Sequence, residues 1–279
     1  MPGSNARALD KARTLPADAL ILDLEDAVAP DAKALAREQV NVAVKQGGFG
    51  TRETVIRVNG PDTEWGETDM KAACAAGPDA ILVPKINSAE DIMRADHALK
   101  ANGAPSHTSL WAMMETPRAM LDALAIAEAA KGTRLVCFVM GTNDLAKETR
   151  AKIVPGRAPM DPWLMACIAA ARVAQIDIID GVYNAISDMA GFEQECLEAR
   201  DRGFDGKTLI HPSQIEPANR LFAPAENEVA WARTIMSAFE QPENAGKGAM
   251  QIDGKMVERL HAEIGRRTVA IAEAIASRG

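Results

Sequence analysis

Two isolated carboxylates stand directly after apolar runs. Glu115 follows "LWAMM", and Asp144 follows "CFVMGTN". Two carboxylates from adjacent strand ends, with other positions left to water and substrate, are what Mg²⁺ uses. A purely structural reading has each carboxylate capping the helix that follows it. Their matching positions on neighbouring strands favour a metal. A further acidic group, Asp23, Glu25 and Asp26, ends the run Leu20-Ile21-Leu22, and no Lys, Arg or His lies between residues 20 and 30. Three acids closing a buried strand repel one another unless a cation sits nearby. Arg57 poses the opposite problem, because its strand neighbours are Val55, Ile56 and Val58. A guanidinium in that setting needs an anion. It fits either the Asp23–Asp26 cluster or a substrate carboxylate or enolate oxygen held in a fork.

Other chemistries find no support. His97, His107, His211 and His261 are scattered, and none pairs with a Cys at ligand spacing, which argues against zinc. His211 stands before a proline at a strand end, where it lines the site or satisfies backbone groups. No G-x-S-x-G turn and no Cys/His pair suggests acyl-enzyme chemistry. Cys74, Cys137, Cys167 and Cys196 read as small core residues in a reducing compartment. A net charge of −8 with no basic stripe argues against a nucleic-acid or membrane-surface partner, while leaving room for one local anion pocket. Without a signal peptide or an apolar run of ~20 residues, the expected location is the cytoplasm.

The elements that must position these residues alternate along the chain. Strand-like runs cover 18–26, 54–60, 80–86, 110–116, 134–141, 176–183 and 206–212. Helical patterns such as "DAKALAREQVNVAVKQ", "SAEDIMRADHALKANG" and "GFEQECLEARDRG" separate them. Near-continuous apolar strands joined by helices predict an α/β fold with a parallel sheet. A TIM-type (β/α)₈ barrel needs eight strands. The chain opens on "MPGSNARALDKA", a turn into a helix, so it is expected to begin just past a first strand missing from it. An open doubly wound sheet is the alternative, without a dinucleotide fingerprint to support it. Residues 1–220 are expected to form the catalytic barrel. Residues 221–279 are expected to form a helical lid or subunit-contact segment, with a Gly-rich loop over "PENAGKGAMQIDGKMV". Chemistry in such barrels collects at the C-terminal strand ends. Those ends carry Asp23 with Glu25 and Asp26, then Arg57, Lys85, Glu115, Asp144, Asp180 and His211.

These motifs also occur together elsewhere. "LDLEDAV", "RVNG", "VPKI", the glutamate of "METP", "GTNDL", "DGVY" and "GKTLIHPSQ" stand in this order. The chain resembles the citrate lyase β-subunit-like enzymes of the HpcH/HpaI aldolase superfamily, and within them the malyl-CoA and citramalyl-CoA lyases and the malyl-CoA thioesterases. The resemblance covers nearly the whole chain. It is specific for the family and far less so for the substrate. It implies Mg²⁺ on Glu115 and Asp144, a thioester enolate or oxo-acid group on Arg57, and water around the metal organised by Glu25 and Asp26. Gly141, Thr142 and Asn143, which lead into Asp144, are expected to contact substrate. Arg7 and Lys11 match basic residues that contact CoA phosphates, solvated helix charges being the alternative. In relatives a "VLY"-like strand precedes "MPGSN". Relatives also carry "GKMVDxP", whose aspartate reaches a neighbouring subunit's site for proton transfer. Here the segment reads "GKMVERL", so Glu258 keeps the carboxylate with one more methylene and the proline is lost.

The leading expectation is a Mg²⁺-dependent carbon–carbon lyase. It would cleave a malyl-, β-methylmalyl- or citramalyl-CoA to acetyl- or propionyl-CoA and a small 2-oxo acid. Arg57 would stabilise the enolate, help typically worth several kcal/mol of barrier. Glu258, from another subunit of a homo-oligomer (trimer or hexamer), would protonate it. The alternatives are a malyl-CoA thioesterase on the same scaffold and a citrate lyase β subunit acting on a carrier-protein thioester.

Overall fold

Each of the seven apolar runs forms a strand, and the strands pair in chain order, all parallel. They are β1 (Ala19–Asp23), β2 (Glu53–Arg57), β3 (Ala80–Val83), β4 (Ser109–Met114), β5 (Leu135–Met140), β6 (Asp177–Asp180) and β7 (Gly206–Lys207). The protein is thus an α/β fold built on a curled parallel sheet. The computed structural model describes residues 1–244 and 246–278. It comprises two compact units, Met1–Ala218 and Asn219–Gly279.

β7 is much shorter than the run 206–212. The N–H groups of Ile210 and His211 donate to Oε1 of Gln214 instead of a neighbouring strand. His211 caps the short turn Pro212–Gln214, its ring accepting from the Ser213 N–H. That is the backbone-satisfying role.

Side-chain alternation explains how the sheet positions a site. Val55, Ala80, Leu82, Trp111, Cys137 and Val139 form one buried cluster, with Ala19, Ile21, Met113 and Ile179 packed on it. The intervening residues Leu20, Leu22, Ile56, Ile81, Leu110, Ala112, Phe138 and Ile178 are buried as well. Both faces are therefore covered, which is why the strands read as unbroken apolar runs. The period of two continues past the clustered residues. Asp23 follows Ile21, Arg57 follows Val55, Glu115 follows Met113 and Gly141 follows Val139. The clustered face is an apolar floor, and polar groups succeed it at the strand ends.

Helices follow the strands, including Lys33–Gln46, Gly66–Ala76, Ala89–Ala101, Asp161–Ala174 and Met189–Arg202. The first buries Ala36, Val40 and Ala43, one stripe at helical spacing. The third starts with a reciprocal capping box between Ser88 and Asp91. All four cysteines are free and buried. The opening residues lie parallel to β1, with Pro2 bridging Asp23 and the Met1 ammonium donating to the Ile21 carbonyl at 2.6 Å. Gly3 has no room for a side chain, since a Cβ there would lie 2.7 Å from the Asp23 carbonyl oxygen.

The second unit holds helices Glu226–Glu240 and Arg259–Arg278 and an antiparallel hairpin, β8 (Ala249–Ile252) with β9 (Lys255–Glu258). The hairpin corrects the expected Gly-rich loop. Its turn residues Asp253 and Gly254 have φ of 48° and 77°, the positive values that a two-residue Asp-Gly turn adopts. Val257 packs with Ile235, Phe239 and Ala262, and Met250, Ile252 and Trp231 cover them. No helix among the described residues is long and apolar enough to cross a membrane.

At the sheet's other end, buried charges tie β6 to β7. Lys207 Nζ donates to Asp180 Oδ2 at 2.8 Å, Glu195 Oε1 at 2.7 Å and the Gly181 carbonyl at 2.7 Å. Arg157 Nη1 reaches Asp180 Oδ1 at 2.6 Å. Removing one partner strands the others without water. Lys207→Met is expected to cost about 3–5 kcal/mol, measured as a lower urea midpoint at unchanged slope. A cost under about 1 kcal/mol would show that the network behaves as a surface pair.

Candidate active site

Strand register brings the first two groups together. Asp23 pairs with Arg57 across β1 and β2, so both side chains leave the same face. Arg57 Nε donates to Asp23 Oδ1 and Nη2 to Oδ2, both at 2.7 Å. The same carboxylate accepts the N–H groups of Glu25 at 2.9 Å and Ala27 at 3.0 Å. Burial works to raise the Asp23 pKa, but the Arg57 fork and these N–H groups hold it below the usual range. Burial likewise works to lower the Arg57 pKa, and Asp23, Glu25 and Asp26 outweigh it. The fork occupies Nε and Nη2. Nη1 points elsewhere, 3.0 Å from Glu25 Oε2 and 3.5 Å from the more exposed Asp26 Oδ2.

Asp23 thus positions the arginine, and of the two anions expected for Arg57 the cluster at the end of β1 is the one it meets. A second group holds the following loop. Lys33 Nζ, buried, donates to the carbonyls of Leu24 and Glu25 at 2.8 Å each and to Asn59 Oδ1 at 2.7 Å. Asn59 donates to Asp69, which Arg37 also binds. Lys33 opens a helix whose pattern gives it no special place among the charged residues there. Only the fold turns its ammonium under the β1 end.

Glu115 and Asp144 meet at Lys85. The Lys85 N–H donates to Glu115 Oε1 at 2.8 Å, and its ammonium donates to Asp144 Oδ1 at 2.6 Å. Neither carboxylate caps a helix. Thr116 caps the one after Glu115 by accepting the Ala119 N–H, and the helix Thr142–Thr149 has no side-chain cap. The capping alternative therefore falls. Gly141 makes the arrangement possible, since a Cβ there would lie 2.4 Å from Glu115 Cβ and 2.6 Å from its Oε2.

The remaining expected residues are distributed around this centre. Thr142 is buried, and its hydroxyl packs where Gly181 lacks a side chain. Asn143 and Asn184 exchange side-chain amide hydrogen bonds at 2.7 and 3.2 Å. Arg7 and Lys11 are exposed, one turn apart on the helix Ala6–Ala12. Glu258 belongs to the second unit, ending β9, where its N–H donates to His261 Nδ1 at 2.9 Å.

The electrostatics show what the centre lacks. Burial pushes the Glu115 carboxyl up to about 7, against the pull of Lys85. Burial pushes Glu25 up to about 8, with Asp26, Glu115 and Asp23 adding to the rise against Arg57. Glu115 Oε2 is buried with no hydrogen-bond partner. Glu25 Oε2, though near Arg57, is not aligned for a hydrogen bond. Among the described residues no three His, Cys, Asp or Glu side chains form a closed metal cage. Two carboxylates with an orphaned buried oxygen fit instead a hard divalent ion that keeps positions for water and substrate. Mg²⁺ fits Glu115 and Asp144 on that ground.

An acid cluster at the rim of a parallel sheet, holding one arginine and short of positive charge, has the make-up to take a divalent cation. Residues 1–212 match the family model described as HpcH/HpaI aldolase/citrate lyase, and the chain belongs to that family. It is 49% identical over 277 residues to a (3S)-malyl-CoA thioesterase of Cereibacter sphaeroides (strain KD131 / KCTC 12085), covering 99% of this chain and 94% of the relative. It is 36% identical over 263 residues to the citrate lyase subunit beta of Escherichia coli (strain K12), covering 92% and 86% of the two chains. Among solved structures, it is similar to CitE of Mycobacterium tuberculosis in complex with magnesium, acetoacetate and coenzyme A. There the TM-score is 0.77 at 26% identity, with 97% and 96% of the two chains covered.

Without a divalent ion, Glu25 and Glu115 retain protons that an unfolded chain releases near 4.5. The native state then binds more protons than the unfolded state between about pH 4.5 and 8, so stability falls as pH rises across that window. Thermal unfolding in EDTA is expected to show this decline, and Glu115→Gln is expected to flatten it. A wild-type profile rising from pH 5 to 8 would contradict the assignment. Gly141→Ala is expected to displace Glu115 at a cost of about 1–3 kcal/mol, and calorimetric titration should show weakened Mg²⁺ binding.

Proposed function

We propose that this chain is a Mg²⁺-dependent thioesterase that hydrolyses a 3-hydroxyacyl-CoA of the malyl-CoA type. The observation that carries the site is the orphaned buried oxygen of Glu115 beside Asp144, opposite an arginine with one unforked nitrogen. The similarity to malyl-CoA thioesterases over nearly the full length supports hydrolysis above the carbon–carbon cleavage that the sequence motifs favour. Glu115 and Asp144 would hold the metal, which would supply Lewis-acid charge to the oxygens of the substrate.

The chain's own residues do the rest. Asp23 fixes Arg57 so that Nη1 presents positive charge to the thioester oxygen as it gains charge. Glu25 has a carboxyl raised to about 8, which suits a group that exchanges protons near neutrality. Its ionised form takes a proton from water as the water oxygen attacks the thioester carbon. It returns that proton to sulfur as the C–S bond breaks, releasing free CoA and the hydroxy acid. Asp26 lies beside the same Arg57 nitrogen and helps hold the attacking water. The exposed pair Arg7 and Lys11 supplies charge for CoA phosphates, and Gly141, Thr142 and Asn143 border the acyl end. Glu258 remains a proton-transfer group delivered from a neighbouring subunit of a homo-oligomer. The seven parallel strands in chain order support a (β/α)₈-type barrel as the architecture of the catalytic part. The expected location is the cytoplasm.

Carbon–carbon lysis is the second reading, favoured by the family's citrate lyase members and by the same Arg57 geometry, which also suits an enolate. One experiment separates the two. Malyl-, β-methylmalyl- and citramalyl-CoA are incubated with enzyme and Mg²⁺, and free thiol and 2-oxo acid are assayed separately. Thiol without oxo acid is expected. Oxo acid without thiol would replace hydrolysis by lysis. Turnover with neither free substrate set but with a carrier-protein thioester would indicate the citrate lyase β role. Asp144→Ala is expected to lower Mg²⁺-dependent turnover at least about 10³-fold while circular dichroism stays native. Unchanged activity would sink the metal assignment.

A further inference from the structure

Lys85 is the residue at this centre to which neither hydrolysis nor lysis gives a task. Its ammonium lies 2.6 Å from Asp144 Oδ1, 3.8 Å from Glu115 Oε1 and 3.7 Å from Glu148 Oε1. Its backbone has φ of 56°, in the left-handed region that a lysine seldom occupies. Local hydrogen bonds hold it there. The Lys85 N–H donates to Glu115 Oε1 at 2.8 Å, and Asn87 Nδ2 donates to the Lys85 carbonyl at 2.9 Å. An ordinary surface ion pair needs no such backbone, because a lysine stem reaches a nearby acid from any helix or loop. Here the strained residue commits both ends to the carboxylates, the N–H to one and the ammonium to the other.

We propose that Lys85 is a resident counter-ion of the carboxylate pair, one that a divalent ion must displace from Asp144 in order to bind. The inference rests on the assignment of Glu115 and Asp144 as metal ligands. The physical argument is one of occupancy. Mg²⁺ sits about 2.0–2.1 Å from its ligand oxygens, and an ammonium on the same carboxylate repels it. The lysine is free to leave, because its side chain is 36% exposed and Glu148 stands near as an alternative partner. The counter-ion has two consequences. It holds Asp144 and Glu115 together before the metal arrives, its N–H on one carboxyl and its ammonium on the other. It also reduces apparent metal affinity by the fraction of molecules whose Asp144 is engaged.

The test measures Mn²⁺ and Mg²⁺ affinity of the full chain by calorimetric titration and by the spin resonance of free Mn²⁺, with no substrate present. Wild type is compared with Lys85→Met, Lys85→Gln and Asp144→Asn, in low salt and in 1 M KCl. At 1 M the screening length is about 3 Å, so a general field effect fades while direct competition persists. Both Lys85 variants are expected to bind the metal about tenfold more tightly in both salts. They are also expected to melt at a lower temperature when metal-free and to gain more from added metal than wild type does. Binding by wild type that is lost in Asp144→Asn, with the Lys85 variants unchanged or weaker in 1 M KCl, overturns the counter-ion role and leaves the metal site intact. Absence of binding in wild type itself overturns both.

Discussion

The two-point hydrogen bond between Asp23 and Arg57 is the constraint from which the site is organised. Asp23 alone would be an uncompensated charge at the end of a buried strand, a situation that costs several kcal/mol, and Arg57 alone would keep Glu25 and Asp26 beside one nitrogen only. Together they satisfy one another, and two backbone N–H groups complete the carboxylate. The bond also fixes which guanidinium nitrogens are spent and which one faces Glu25 and Asp26. Everything proposed for Arg57 depends on that partition. The acids that close β1 therefore do not have one role. Asp23 is structural support for the cation, whereas Glu25 is left with an elevated pKa.

The elevated carboxyls of Glu25 and Glu115 are a consequence of building the site on an apolar floor. Trp111, Val55, Leu82, Cys137 and Val139 fill the space beneath the polar groups. Water is excluded from below, and the charged forms lose solvation. A divalent ion would reverse this imbalance, and Lys85 meets part of it without one. The dry floor and the shortage of cations thus belong to a single arrangement. It favours electrostatic chemistry, in which fixed charges act on oxygens that gain charge during reaction.

The second polar assembly, Arg157, Asp180, Glu195 and Lys207, plays a different part. It joins two strand ends where pairing is short, with β7 contributing only Gly206 and Lys207. Its charges are matched within it, and Lys207 has no exposed side-chain surface. It supports the backbone at Gly181, which packs against Thr142 and so borders the first turn of the helix that bears Asp144.

The seven strands, their parallel order and the polar residues at their ends were legible in the residues, because period-two burial and strand-to-helix alternation are local properties. Arg57, Glu115 and Asp144 stood out because a charge after an apolar run is conspicuous. The β8–β9 hairpin was also readable from Asp253-Gly254, but the surrounding glycines masked it. Other features had no local signal. Lys33 looks like any helix lysine, and Lys85, conspicuous at a strand end, gives no sign of which acids it meets. The capping reading of Glu115 and Asp144 fell only when Thr116 and the Lys85 N–H were placed. Sequence by itself determined the elements and the kinds of charge at their ends. Tertiary structure decided which charges face each other, because partners as distant as Asp23 with Arg57, or Lys85 with Asp144, meet through strand register and loop geometry and not through spacing along the chain.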